Sequence, residues 1–201
     1  MIKMLSAYKK ILDNVVSKKE SRPVLKGVHY ENGNAVATDS HQLVLFKDVV
    51  EDKELNATID LSTYLPIYDR YPDTDHLIPV DHTTQLIFHD LDELTGLVSY
   101  LKSSKKNIVD LDINGAGFGL ELHDDRDVSY IQEADWDGEI LTVSFNANYL
   151  YNALAYLDRL HKDQPLEYSG NVTINFNGKL RPFTVEYGKM TYLICPVRVF
   201  D

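Results

Sequence analysis

The sequence predicts an α+β protein made of two similar units, each an antiparallel sheet with helices on one face. Two observations carry this reading. Apolar residues recur at helical spacing in four stretches and at alternating spacing in many shorter ones. The two kinds of stretch also follow one another in a repeated order, which two related units side by side would produce.

Leu5, Tyr8, Leu12 and Val15 are spaced three and four apart, so residues 5–17 form an amphipathic helix with Lys9, Lys10 and Asp13 on its other face. "SRPVLKGVHYE" begins a strand with Pro23 at its start, and "NGN" at 32–34 is a hairpin turn because Asn and Gly tolerate positive φ. Strands follow at 35–38, 42–50 and 56–61. "STYLPIYDR" is expected as a short helix capped by Ser62. "YPDTDHLIPVDH", 71–82, has two prolines and no periodicity, which marks a connector between the units.

The pattern then restarts. "TQLIF" is a strand, and "HDLDELTGLVSYLKSSKK" sets Leu91, Leu94, Val98 and Leu101 on one helical face, with acid at its start and lysine at its end. Strands at 107–113, 117–123, 127–134 and 139–145 are separated by "NGAG", "DDR" and "DWDG" turns. Asn146 caps a helix through "ANYLYNALAYLDRLHK", and strands near 171–177, 180–187 and 190–195 end the chain. The second half reads β-α-β-β-β-β-α-β-β-β, and the first follows that order as far as its second helix. The expected units are therefore 1–80, incomplete and including part of the connector 71–82, and 83–201, complete.

Composition narrows the function classes. With 44% hydrophobic and 25% charged residues, the chain is an ordinary globular protein. No stretch approaches the roughly 20 apolar residues of a membrane span, and the N-terminus lacks a signal core, so a cytoplasmic protein without a membrane partner is expected. The lone Cys195, in "YLICPV", reads as inert strand core. The net charge of -11 speaks against a surface coated for nucleic acid, but the basic residues are unevenly placed. Twelve of the 20 lie in or just beyond the helical stretches: Lys3, Lys9, Lys10, Lys18, Lys19, Arg22, Arg70, Lys102, Lys105, Lys106, Arg159 and Lys162. Phosphate contact explains this, and so does the preference of cations for helix C-termini.

Reactive constellations are weak. Asp39, Ser40 and His41 in "VATDSHQLVLF" are neighbours, whereas a catalytic triad converges from separated positions; a turn capped by Asp39 or Ser40 fits better. His76, His82 and His89 with their adjacent aspartates would suit a metal-dependent hydrolase, but match no ligand spacing. "NGAGFG" lies between strands rather than opening a helix, so it is a hairpin and not a phosphate loop. No cofactor, no metal and no enzymatic activity are expected.

Three stretches together resemble the sliding clamp (beta subunit) of the bacterial replicative DNA polymerase. "RPVLKGVHYENGNAVATDSHQLVLF" is similar to the middle-domain signature with its Ala-Thr-Asp-Gly-His-Arg-Leu turn. "RYPDTDHLIP" is similar to the Arg-Phe-Pro-Asp connector, and "YLICPVRVF" to the chain-terminal Tyr-Val-Val-Met-Pro-Met-Arg-Leu. Their order is the family's, and they cover most of the chain as a middle and a last domain. The resemblance implies a DNA-clamp fold with the first domain truncated, helices facing duplex DNA and sheets outside.

It further implies a pocket for the linear peptides of DNA polymerase and other clamp partners. Its wall would be Leu25, Thr38, His41 and Leu43, then Pro72, His76 and Leu77, then Leu193, Ile194, Pro196, Val197 and Arg198. DNA-facing cations would be Lys9, Lys10, Lys18, Lys19, Arg22, Arg70, Lys102, Lys105, Lys106, Arg159 and Lys162. A clamp loader and further copies of the chain are the other partners implied, and a monomeric regulator or decoy of clamp partners is the alternative. Ser40 and Gln42 depart from the family's Gly and Arg, and His76 from a common Arg.

Overall fold

The computed structural model describes residues 6–104, 106–115 and 117–199. The first helix, α1 (Ser6–Val15), buries Ala7, Tyr8, Ile11, Leu12 and Val15, the stripe its periodicity requires. Pro23–Lys26 forms a 3-10 turn, not the start of the strand, and β1 (Gly27–Glu31) follows. Asn32 and Gly33 take φ of 52° and 81°, closing a tight hairpin to β2 (Asn34–Thr38), and β3 (Gln42–Phe46) pairs back on β2. β4 (Ala57–Asp60) crosses to the far side of β1.

The helix expected at 62–70 is absent. Asp60 Oδ1 accepts from the Ser62 and Thr63 amides and from the Ser62 hydroxyl, and Tyr64 adopts φ 58°. These local bonds outcompete a first helical turn, and Pro66 denies the helix an amide. The segment becomes a hairpin to the two-residue β5 (Pro66–Ile67).

After the connector, which contains only a 3-10 turn at Asp75–Leu77, come β6 (Thr84–Phe88) and α2 (Thr95–Ser104). Asp90 accepts from the Glu93 amide and Glu93 from the His89 amide, a reciprocal brace at the start of the helix. β7 (Ile108–Asn114), β8 (Gly117–Leu122), β9 (Asp125–Glu133) and β11 (Leu141–Asn146) arise where alternation predicts them. "DWDG" is not a turn but β10 (Asp135–Gly138), paired with β6.

The Asn146 side chain accepts the Asn148 amide at 2.9 Å as predicted, but the helix it caps is interrupted: α3 is Ala147–Leu154 and α4 Leu157–Asp163. Buried positions 147, 150, 153, 157 and 160 are spaced on average less than one helical turn of 3.6 residues apart. The break at 155–156 separates two short helices whose buried Leu150, Ala153, Leu157 and Leu160 all pack into the main core. β12 (Val172–Phe176), β13 (Phe183–Tyr187) and β14 (Met190–Ile194) complete the fold.

Two sheets result. One has the order β11-β7-β8-β9, and the other runs through ten strands, β10-β6-β12-β13-β14-β3-β2-β1-β4-β5. The order β4-β1-β2-β3 behind α1 repeats as β11-β7-β8-β9 behind α2, and α3–α4 leads into a third helix-then-three-strands unit. The expectation of sheets confined to each half fails at one place: β14 pairs with β3, so a single sheet crosses both halves. The helices gather on its inner face, where Tyr8 donates to Gln164 at 2.7 Å and packs its ring, tilted, on Phe46 at 4.5 Å between centroids. One apolar core runs through both halves.

Candidate functional site

Strand alternation sorts the β3–β14 junction into two faces. Val44, Phe46, Tyr192 and Ile194 point inward to the main core. Leu43 faces Leu193 across the ladder on the outer side, in register with Thr38, and Val36 with Leu45 lies in the next row. Leu25, Val36, Leu43, Tyr71 and Leu193 form a second, separate apolar cluster there, edged by Val24, Leu45, Ile78 and Cys195. Residues from the 3-10 turn, the hairpin, the connector and the tail, distant in sequence, thus meet at the seam between the halves.

The connector lies across this cluster. Tyr71 is buried with its ring stacked on His29 at 4.8 Å, and its hydroxyl points toward the Thr38 backbone without reaching hydrogen-bond geometry. Burial raises that phenol above its ordinary pKa, so it stays protonated. Beside it opens a groove of about 670 Å³, lined by Arg22, Val24, Leu25, Ser40, Tyr71 and Pro72. Leu77, 46% exposed, stands next to Ile78 of the cluster.

The rim is polar and ordered. Thr38 donates to the Gln42 carbonyl at 2.7 Å and accepts the Ser40 amide, while Asp39 Oδ1 accepts the amides of His41 and Gln42. This is the capped turn expected of "TDSH", with Ser40 at φ 81°, a left-handed conformation that glycine adopts with less strain. The Arg22 guanidinium donates to the Ser40 hydroxyl. Gln42 turns inward, accepting the Tyr192 hydroxyl at 2.6 Å and donating to Asp39. His41 is exposed, its ring alongside Tyr149 of α3, and its carbonyl accepts the Cys195 amide.

Not every expected wall residue is here. Ile194 is fully buried on the opposite, inner face, because neighbours on a strand alternate. His76 is exposed and lies near Asp73, 3.5 Å away. Pro196 and Val197 are half-buried, and the Val197 amide donates to the Ser144 carbonyl, so the tail leaves the seam along β11; Arg198 is exposed. Sequence reasoning missed Tyr71, Val36, Cys195 and Tyr149. The first three were legible as outward positions of strands or as the aromatic of "RYPD"; Tyr149 was not, since only the packing of α3 brings it near His41.

Burial, and secondarily the Asp39 carboxylate, raise the Cys195 thiol above its ordinary pKa. Less thiolate at neutral pH means slow reaction with alkylating reagents.

The cationic residues divide. The four helices carry Lys9, Lys10, Lys102, Arg159 and Lys162 against Asp13, Asp158 and Asp163, a positive balance on a chain of net charge -11. Lys9 donates to the Tyr64 hydroxyl, whereas Arg159 and Lys162 are tied to Asp163 and Asp158. Arg22 and Arg70 line the outer groove instead of the helix layer, which corrects their expected placement. Lys18, Lys19 and Lys106 are exposed beyond the helix ends, and Lys3 and Lys105 lie outside the described residues. His89 pairs with Asp135 at 2.8 Å and His76 with Asp73, and among the described residues no three potential ligands gather for a metal. Among them too, no helix is long and apolar enough to cross a membrane.

No family model matches the chain. It is 30% identical to the beta sliding clamp of Streptococcus pneumoniae serotype 4 over 227 aligned positions, covering 88% of this chain and 57% of that one. The chain is a homologue of the bacterial beta sliding clamps. The Bacillus subtilis beta sliding clamp matches at 27% identity over 92% of this chain and 60% of its own length. Among solved structures, the DNA polymerase III beta chain of S. pneumoniae TIGR4 superposes with a TM-score of 0.73 at 26% identity, over 99% of this chain and 65% of that one. The DNA polymerase sliding clamp of B. subtilis gives 0.74 at 24%, over 96% and 62%. The chain thus spans about three-fifths of the length of these curated relatives. The first alignment has more positions than this chain has residues, so the relative carries an insertion here.

Proposed function

We propose that the protein is a clamp-like replication accessory factor, without enzymatic activity, that holds linear peptide motifs of DNA polymerase and related proteins in the outer groove at the β3–β14 seam. The observation that carries this reading is the second apolar cluster, Leu25, Leu43, Tyr71 and Leu193, gathered from both halves, of which Leu25 and Tyr71 line an open groove. An apolar depression with a few polar guides at its rim is what an anchored extended peptide requires. We take residues 1–80 with the connector 71–82 as an incomplete clamp-like half and 83–201 as a complete one, working in the cytoplasm. Titrating a clamp-binding peptide from a replicative polymerase into the protein tests the reading; no saturable binding would refute it.

The helix layer faces duplex DNA in this proposal, as part of a self-associated assembly, and the acidic remainder keeps the outside off it. Lys9, Lys10 and Lys102 are the contacts, and the ion-paired Arg159 and Lys162 add little. For three phosphate contacts, log affinity for duplex DNA should fall with log salt at a slope of about -3, independent of sequence. Fluorescence anisotropy checks it, and Lys9→Glu with Lys10→Glu should flatten the slope. A salt-independent or sequence-selective affinity would contradict the helix-face assignment. Loading onto DNA by a clamp loader belongs to the same proposal.

A further inference from the structure

The apolar cluster at the β3–β14 seam is closed. Leu43 is 1% exposed, Leu193 4%, Leu25 6% and Val36 7%, so a ligand laid on the surface as it stands would touch little of them. Tyr71, the fifth member, comes from the connector, whose residues 69–73 run between two grooves. They line the one of about 670 Å³ beside Leu25 and another of about 590 Å³ beside His29, Val36, Leu45 and Ile67. Tyr71 therefore stands in the partition between two open spaces and over a floor that neither reaches fully.

That partition is lightly held. Within 68–73 only Tyr71 is buried, and among the described residues no backbone hydrogen bond ties this stretch to the rest of the chain. The Tyr71 hydroxyl is shut away from water without a partner, a loss of hydration that nothing in the closed position offsets. Its stacking partner is fixed independently: His29 Nδ1 lies 3.1 Å from the Thr58 hydroxyl, and Nε2 lies 3.6 Å from the Glu31 carboxylate. Tyr71 can leave while His29 stays.

We propose that Tyr71 is a gate on the peptide site: in the free chain its ring closes the cluster, and an apolar anchor of the incoming peptide takes its place against Leu43 and Leu193. The displaced ring moves into the groove beside it, where the hydroxyl regains water, and the two grooves join. This deepens the groove reading and rests on it. It also sets a selectivity, because only a large aliphatic or aromatic anchor restores the apolar contact that the departing ring gives up; a peptide with a small or polar residue there leaves the gate shut.

Titrating a polymerase-derived clamp peptide into the full chain and its Tyr71→Phe and Tyr71→Ala variants tests it, with calorimetry and the histidine ring resonances as readouts. Removing the unpartnered hydroxyl favours the closed position, so Tyr71→Phe should melt about 3 °C higher and bind the peptide roughly fivefold more weakly. Tyr71→Ala should melt lower yet bind at least as tightly as wild type. The His29 resonance, identified by its loss in His29→Gln, should shift on peptide binding as the stack breaks, and should start near the bound position in Tyr71→Ala. A fixed floor predicts the opposite pattern, with Tyr71→Phe neutral and Tyr71→Ala losing affinity. Equal affinity of wild type and Tyr71→Phe, or a His29 resonance unmoved at saturating peptide, overturns the gate, and these two readouts decide even where Tyr71→Ala does not fold. Peptide binding with neither change sinks the gate alone; no binding by wild type or by a folded Tyr71→Ala sinks the groove reading and the gate with it.

Discussion

Leu77→Asp should weaken binding of a polymerase-derived clamp peptide by about 2 kcal/mol, roughly thirtyfold, while leaving the melting transition in place. Leu77 is half exposed on the connector beside the apolar cluster, so a carboxylate there is solvated in the free protein and must be desolvated only when a peptide covers it. The cost therefore appears in binding, not folding. Isothermal titration reads the affinity and circular dichroism the fold. Undiminished affinity would mean that the peptide does not pass over the connector.

Phe46→Ala is expected to destabilise the fold by about 3–5 kcal/mol. Phe46 is fully buried on the inner face of β3, packs against the tilted ring of Tyr8 of α1 and lies opposite Met190 of β14. It sits where helix, first half and second half join, so its loss should lower the midpoint of a single transition followed alike by both halves. For a chain of this size the shift is on the order of 10 °C. Calorimetry that resolved two transitions, with only the earlier moved, would contradict a shared core.

Much of this architecture was legible because short-range patterns dominate it. The α1 stripe, the Asn32–Gly33 turn, the Asn146 cap and the alternation in β6, β7 and β12–β14 each follow from a few neighbouring residues. The failures occur where a local pattern had a competitor. At 62–70 the Asp60 carboxylate captured the amides that a helix would have left to itself, and at 135–138 "DWDG" looked like a turn because its pairing with β6 is remote in sequence.

The site divides in the same manner. Leu25, Leu43 and Leu193 were found through motifs, and the structure does bring them together, but the motif could not tell that Ile194 faces the other way or that Tyr71 covers the floor. Facing is a property of register, and register across the β3–β14 seam joins residues nearly 150 positions apart. The cations held by acids one helical turn away, Arg159 by Asp163 and Lys162 by Asp158, were legible from that spacing, whereas the bond from Lys9 to Tyr64, 55 positions on, was not.

The central claim is that one peptide groove lies on the outer face of the β3–β14 seam. Methyl-resolved NMR of the Leu and Val side chains during titration with the polymerase-derived peptide tests it most directly. The account predicts that Leu25, Leu43, Leu77 and Leu193 shift together and saturate at one peptide per chain, while core methyls such as Leu12 and Leu111 stay in place. Shifts confined to other surfaces, or none at saturating peptide, would contradict it.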